Sequence, residues 1–416
     1  MKLYPAFFII FFLFQYKALA IEYKISGQLE NRIINYTQNT SANLGYLNFL
    51  QFDQKSKINS DFLFFNQVRA KATSFNQDVN EFQVKKNSNF QTYLGENYFR
   101  YQSGKSNLQI GYQEIVWGEA FGFNYADLVN PKDNRFTHYN DQGLSRLPIF
   151  LLNYKYFWEN SSLQLIYGPK PEFSKPIPLH LFLPKNLNSF NIISESEAKP
   201  KFFDESDMGL KYSTSFNGID LSLSYFDYLD RNPFYKIKNL SGSNLTLTEN
   251  HRRTKSATFS FAKTLFDYVV RMDFVYSTNK TFNTLNGTNL NDYQSNSKDI
   301  LFGFDTPSFD NYTLFFIWAH KSLDKVVTSS LTPDQSDAVV IKLNKTLEAE
   351  KSLEFSYTRE IKEKANGIQA LINFPVNNNT ELKLGSEFYF GPESSQYSKL
   401  KKINSVFIDI KNYFQI

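Results

Sequence analysis

From residue 22 to the end, apolar and polar side chains repeatedly alternate with a period of two, and the polar positions are often charged. Tyr268, Val270, Met272, Phe274 and Tyr276 share one face of a segment whose other face carries Arg271 and Asp273. Leu108, Ile110 and Tyr112 alternate with Asn107, Gln109 and Gln113. Leu353, Phe355 and Tyr357 alternate with Glu354, Ser356 and Thr358, and Leu382, Leu384, Phe388 and Phe390 with Glu381, Lys383 and Glu387. A period of two is the signature of a strand whose two faces meet different surroundings. Charges on the polar face suit a wet interior better than the dry inner face of a sandwich.

The links between these segments are as informative as the segments. Tight links at 104–105, 159–160, 217–218, 265–266, 310–311, 348–349 and 377–378 alternate with long ones at 117–146, 169–206, 229–253, 278–297 and 322–336. That asymmetry predicts an all-β chain, a transmembrane antiparallel barrel of about 18 strands with short periplasmic turns and long extracellular loops. If both termini are periplasmic the count is even, and 16 strands result if one pair is misread. A soluble propeller is the rival, but it needs a fixed internal repeat, and none is present.

Other features agree. Aromatic residues make up 17% of the chain, with 43 Phe and 26 Tyr beside 21% charged residues, a mixture that lipid-facing and lumen-facing positions together require. Residues 1–20 read as an export signal: Lys2, an apolar stretch from Leu3 to Phe14, and Ala18-Leu19-Ala20 before a cleavage point. Residues 21–416 then form the barrel. Removing the signal takes away Lys2 and Lys17, so a formal charge of +4 falls to +2 (4 − 2), too small a footprint for nucleic acid. The chain has no cysteine, so no disulfides hold it. No later segment offers about 18 consecutive apolar residues, which excludes a transmembrane helix.

Residues 111–119, Gly-Tyr-Gln-Glu-Ile-Val-Trp-Gly-Glu, precede Asn130-Pro131-Lys132-Asp133. Arg146-Leu147-Pro148 and Arg231-Asn232-Pro233 follow in order, the latter after Ser224-Tyr225-Phe226-Asp227-Tyr228. Over residues 90–235 this resembles the "domain of unknown function 1302" family of proteobacterial outer-membrane proteins, which carries a Gly-Arg-Gln strand running into Trp-Gly-Glu and then Asn-Pro-x-Asp. Tyr112 stands where that family usually has Arg. The resemblance implies a large porin-like barrel with no settled substrate.

Trp117 and Gly118 close the strand predicted over 105–116, where an indole suits the membrane–water boundary and a glycine permits a sharp turn. Beyond them, Glu119, Asp127, Lys132, Asp133, Arg135 and Arg146 mix both charges with Phe121, Phe123 and Tyr125. Two arrangements fit. Folded inward, the loop is a constriction whose opposed charges select permeants. Folded outward, it is a solvated loop whose acids and bases pair with one another. The proline-rich 169–206 segment, with Phe173, Leu179, Leu181 and Phe182, is expected to pack on or inside the barrel mouth or to meet an apolar substrate.

Catalytic signals are weak. His138, His180, His251 and His320 are scattered and none lies in a nucleophile motif, so neither an enzyme, a cofactor nor a metal site is expected. Val406, Ile408, Ile410, Phe414 and Ile416 on one face of the last strand suit a terminal barrel strand. The expected partners are outer-membrane lipid and lipopolysaccharide, the barrel assembly machinery and small solutes. The expected function is a channel for passive uptake through a loop-constricted lumen. A plugged barrel acting as adhesin or anchor, and a transporter of hydrophobic compounds, remain alternatives.

Overall fold

The computed structural model describes residues 22–37, 44–75, 84–119, 125–134, 145–176, 191–196, 200, 202–287, 289–392, 395 and 400–415. The export signal at 1–20 lies outside the described residues, as do Arg135, Phe121, Phe123, His138, His180, Leu179, Leu181, Phe182 and Ile416.

Twenty-one strands are described. In chain order they are β1 (Glu22–Tyr36), β2 (Leu44–Lys57), β3 (Phe62–Phe75), β4 (Val84–Ser103), β5 (Ser106–Gln113), β6 (Ile149–Phe157) and β7 (Ser161–Gly168). Next come β8 (Asn191–Ser196), β9 (Asp207–Phe216), β10 (Ile219–Leu229), β11 (Phe234–Ser241), β12 (Asn244–Asn250), β13 (Arg253–Leu265) and β14 (Tyr268–Asn286). The last are β15 (Asn289–Asp305), β16 (Tyr312–Leu323), β17 (Gln335–Thr346), β18 (Ser352–Glu360), β19 (Ala365–Asn377), β20 (Thr380–Phe390) and β21 (Ser405–Gln415).

Eighteen of these, all but β8, β11 and β12, pair with their chain neighbours in one antiparallel sheet, and β1 pairs with both β2 and β21. The sheet therefore closes, and no edge is left unpaired in lipid. At the closing seam Arg32 and Asp409 stand directly opposite, and the guanidinium donates from Nε and Nη2 to the two carboxylate oxygens.

Register assigns the faces. Residues opposite each other on adjacent strands point the same way, so Tyr268, Met272 and Phe274 look outward with Phe302, Ile300, Phe259 and Phe261. Asp273 looks inward between Ser260 and Leu301. Small hydroxyls fill the inner wall beside it: Ser224 bonds Thr258, and Ser256 bonds Ser277. At the short-turn end two-residue turns reverse the chain. Asn217-Gly218 has φ of 49° and 71°, the positive pair that a type I′ turn demands.

The long-loop end differs from the sequence expectation in three places. Strand β5 stops at Gln113 rather than 116. The 278–297 link is not a loop: β14 and β15 run on as a hairpin to Asn286 and Asn289. Within 229–253 lies the β11–β12 hairpin, which pairs in parallel with β8 from the 169–206 segment into a separate three-stranded sheet. Outside the membrane both faces of a strand are wet, so the alternation that marks a lipid-facing strand fades there.

Candidate functional site: the segment that crosses the bore

Beyond β5 the chain turns into the lumen. Asn130 makes that turn possible by standing in for a lost strand partner: its Oδ1 accepts the Ile115 N–H at 2.6 Å, and its Nδ2 donates to the carbonyls of Gln113 and Leu147 at 2.9 Å. Buried backbone groups of both arms of the loop are thereby satisfied without a ladder. Pro131, also buried, needs no partner for a backbone N–H.

Trp117 is 1% exposed, and it does not lie at the membrane boundary. Its ring packs edge-on to Phe226 at 5.8 Å, in a cluster with Ile115, Val129, Ile149, Leu151, Ile166 and Tyr228. The notch is made by Gly209, where an added Cβ would lie 2.7 Å from the Trp117 ring. The indole Nε1–H donates to Gln164 Oε1, Gln164 donates to Asn153 and Asn153 to Gln113, so a chain of amides on the inner wall holds the ring. The interfacial reading fails because this amide chain satisfies the indole N–H inside the barrel, as buried Trp requires.

Arg231 clamps the same segment from above. Its Nε and Nη2 donate to the Val129 carbonyl and its Nη1 to that of Glu172, while Nη1 stands 2.8 Å from Asp207 Oδ2 as an ion pair poorly aligned for a hydrogen bond. Both side chains are almost fully buried. The Ser174 N–H donates to the Arg231 carbonyl, so the start of the 169–206 segment is tied to the same point. Phe173 stacks flat on His251, whose Nδ1 bonds the Asp230 carbonyl. Burial holds the His251 pKa below its ordinary value.

Past Trp117, Gly118 has φ of 97°, and an added Cβ would lie 3.0 Å from Asp273 Oδ2. The Glu119 N–H donates to Asp273 Oδ1 at 3.1 Å. Asp273 sits on β14, and β6, β7, β9, β10 and β13 stand between it and β5, so the segment spans a third of the wall. Farther on, Tyr125 packs on Leu301 and Ile317 of β15 and β16, with Val340 of β17. The chain thus leaves one side of the bore, touches the opposite side and returns through Val129.

The sequence-derived charges separate into two groups. Asp127 is buried and paired with Arg146 at 2.8 Å and Lys132 at 3.5 Å. Asp133 lies 3.8 Å from Lys175, and short bridges join 132 to 146 and 133 to 175. These ions pair within the two loops. Glu119 is different: it is exposed, with Lys211 and Arg271 within electrostatic reach and no ion pair within 4 Å among the described residues. Lys155 stands near Lys211 on the same wall. At the base of the segment Glu114 meets Arg69 at 2.8 Å, and burial raises its carboxyl pKa, partly offset by that guanidinium.

Lys211, Asp207, Gln164 and Gly209 escaped the sequence reading, and Arg271 and Asp273 entered it only as the polar face of a strand. Each is an ordinary inward position on a strand, and only the chain crossing the bore distinguishes it.

The closed sheet with an inward-folded segment can be set beside barrels of known structure. The chain is an outer-membrane β-barrel. It is similar to OccK5 (OpdH) of Pseudomonas aeruginosa, with a TM-score of 0.56 at 9% identity over 96% of this chain and 99% of that one. It is similar to OccAB3 of Acinetobacter baumannii, with a TM-score of 0.54 at 11% identity over 95% and 100%. The outer-membrane protein opdK of Pseudomonas aeruginosa gives 0.54 at 8% identity over 95% and 99%. At such identity the likeness is one of fold. No family model and no curated protein matches the sequence.

A second segment also enters this outer-membrane barrel from the long-loop end. A short 3-10 helix, Leu400–Ile403, buries Ile403 against Ile34, Tyr36, Leu47 and Phe407. Here Asn404 repeats the role of Asn130, its Oδ1 accepting the Tyr389 N–H at 2.7 Å.

Proposed function

We propose that the chain is a passive channel for small solutes, narrowed by residues 114–119 and 125–134, with termini and tight turns on the periplasmic side. The observation that carries this reading is the Glu119 N–H on Asp273, which holds the segment across the bore rather than over it. Packed apolar contacts at Trp117 and Tyr125 keep it there. In this reading Glu119, with Lys211 and the Asp305-paired Arg271 within electrostatic reach, sets the field that a permeant meets, because opposed charges across a constriction discriminate by charge and size. Asp127, Lys132 and Arg146 shape the constriction by pairing and act on permeants less. Arg135, outside the described residues, keeps its candidate place on the same loop. The resemblance to the "domain of unknown function 1302" family supports a porin-like role for the same stretch.

The inward helix at Leu400–Ile403 favours a second reading, a plugged barrel serving as an anchor. Planar-bilayer recordings of the refolded protein separate the two. Stepwise conductance supports the channel. A heat-modifiable, folded barrel that inserts and gives no steps refutes it.

A further inference from the structure

Just beyond the crossing segment, on the long-loop side, two inward-facing charges stand opposite each other without pairing. Asp299 of β15 and Lys321 of β16 are register partners, one inward position above the Leu301–Ala319 pair. Leu301 is the residue that Tyr125 covers. Cross-strand partners of opposite charge ordinarily meet. Here no ion pair joins them within 4 Å. Asp299 is 5% exposed, and its Oδ1 is buried with no hydrogen-bond partner. The Lys321 amine has no ion pair or hydrogen bond among the described residues and lies toward the Phe282 ring, at 5.7 Å. Nearby Lys280 has its own acid, Asp230, at 4.0 Å, so it does not supply Asp299 with a close partner.

A carboxylate oxygen buried without a donor is costly, so the arrangement persists only if something offsets it. Tyr125, packed on the neighbouring Leu301, lies within electrostatic reach of Asp299. The geometry points to a binding subsite for a small zwitterion, whose ammonium group donates to Asp299 while its carboxylate accepts from Lys321. A simple anion would leave Asp299 unsatisfied, and a simple cation would leave Lys321 so. The subsite stands before the constriction for a solute entering from the long-loop end, and it rests on the channel reading for its role in uptake.

The test uses three small probes that share a three-carbon skeleton: L-alanine, propionate and propylammonium. Equilibrium binding of isotope-labelled probe to the folded, detergent-solubilised full chain is measured beside current block in planar bilayers. L-Alanine is expected to bind saturably, roughly tenfold or more tighter than either single-charge analogue, since each charged hydrogen bond is worth about that factor. The near-isosteric Asp299→Asn should lower L-alanine binding to the propionate level, and Lys321→Met to the propylammonium level. Equal binding of L-alanine and propionate overturns the inference in favour of an anion site, and this comparison needs no variant. Conductance without saturable L-alanine binding overturns the inference while leaving the channel intact. Saturable binding without conductance upholds the subsite and refutes the channel.

Discussion

Removing the Arg231 guanidinium is the sharpest test of how the crossing segment is held. Arg231→Met keeps much of the apolar stem but deletes three hydrogen bonds to the carbonyls of Val129 and Glu172 and the ion pair to Asp207. Among the described residues Asp207 then keeps only the Leu229 N–H on Oδ1, and it is 1% exposed. Breaking a buried pair by removing one partner costs about 3–5 kcal/mol, because the remaining charge is stranded. Val129 and Glu172 each lose the donor that ties their segment to the wall, so the loss falls on the docking of residues 125–134 and 169–176. We expect local unfolding of those segments, seen as faster amide exchange at Val129 and Ser174, with single-channel conductance rising as the segment swings from the bore. Removing both charges in Arg231→Met/Asp207→Asn should restore a large part of the loss, since no uncompensated carboxylate remains. If the double variant is as unstable as the sum of the singles, the stranded charge is not the cause. If exchange at Val129 is unchanged in Arg231→Met, the clamp itself is refuted.

Glu119→Lys should shift the reversal potential under a salt gradient toward anion preference. Lys236→Gln, on the outer hairpin, should leave it nearly unchanged because exposed charges are screened within about 10 Å. Equal shifts would remove the special role of Glu119. Gly209→Val should push the Trp117 ring from its notch at a cost of about 1–3 kcal/mol, read as a lower urea midpoint. The docking of Phe173 on His251 should weaken as pH falls below about 6.5, because the buried ring resists the proton that a released histidine accepts. The stability is present above that pH and is lost toward the depressed folded pKa; limited proteolysis near Phe173 from pH 8 to 5 checks it, and faster cleavage at high pH would refute it. Cysteines introduced at Leu240 should react with an impermeant label on intact cells, whereas those at Gly104 or Glu348 should not.

The sequence by itself determined the barrel wall. Alternation in segments such as 105–113 and 268–277 follows from lipid on one side and water on the other, a local constraint written into every second residue. The spacing of links such as Asn217-Gly218 determined pairing order and an 18-strand count, because tight turns oblige chain neighbours to pair. Tertiary structure alone decided what fills the bore. Trp117 is an amphipathic ring that would satisfy its N–H at a membrane boundary or inside, and only the Gly209 notch and Gln164 settle which. Asp127 and Arg146 look like opposed charges free to face a permeant until the fold brings them within 2.8 Å of each other. Glu119 gains its exposed position from Asp273, 154 residues away in sequence. Strand pairing is local and periodic, so the sequence displays it. A loop crossing a lumen is held by partners from distant strands, and their identity exists only once the barrel has closed.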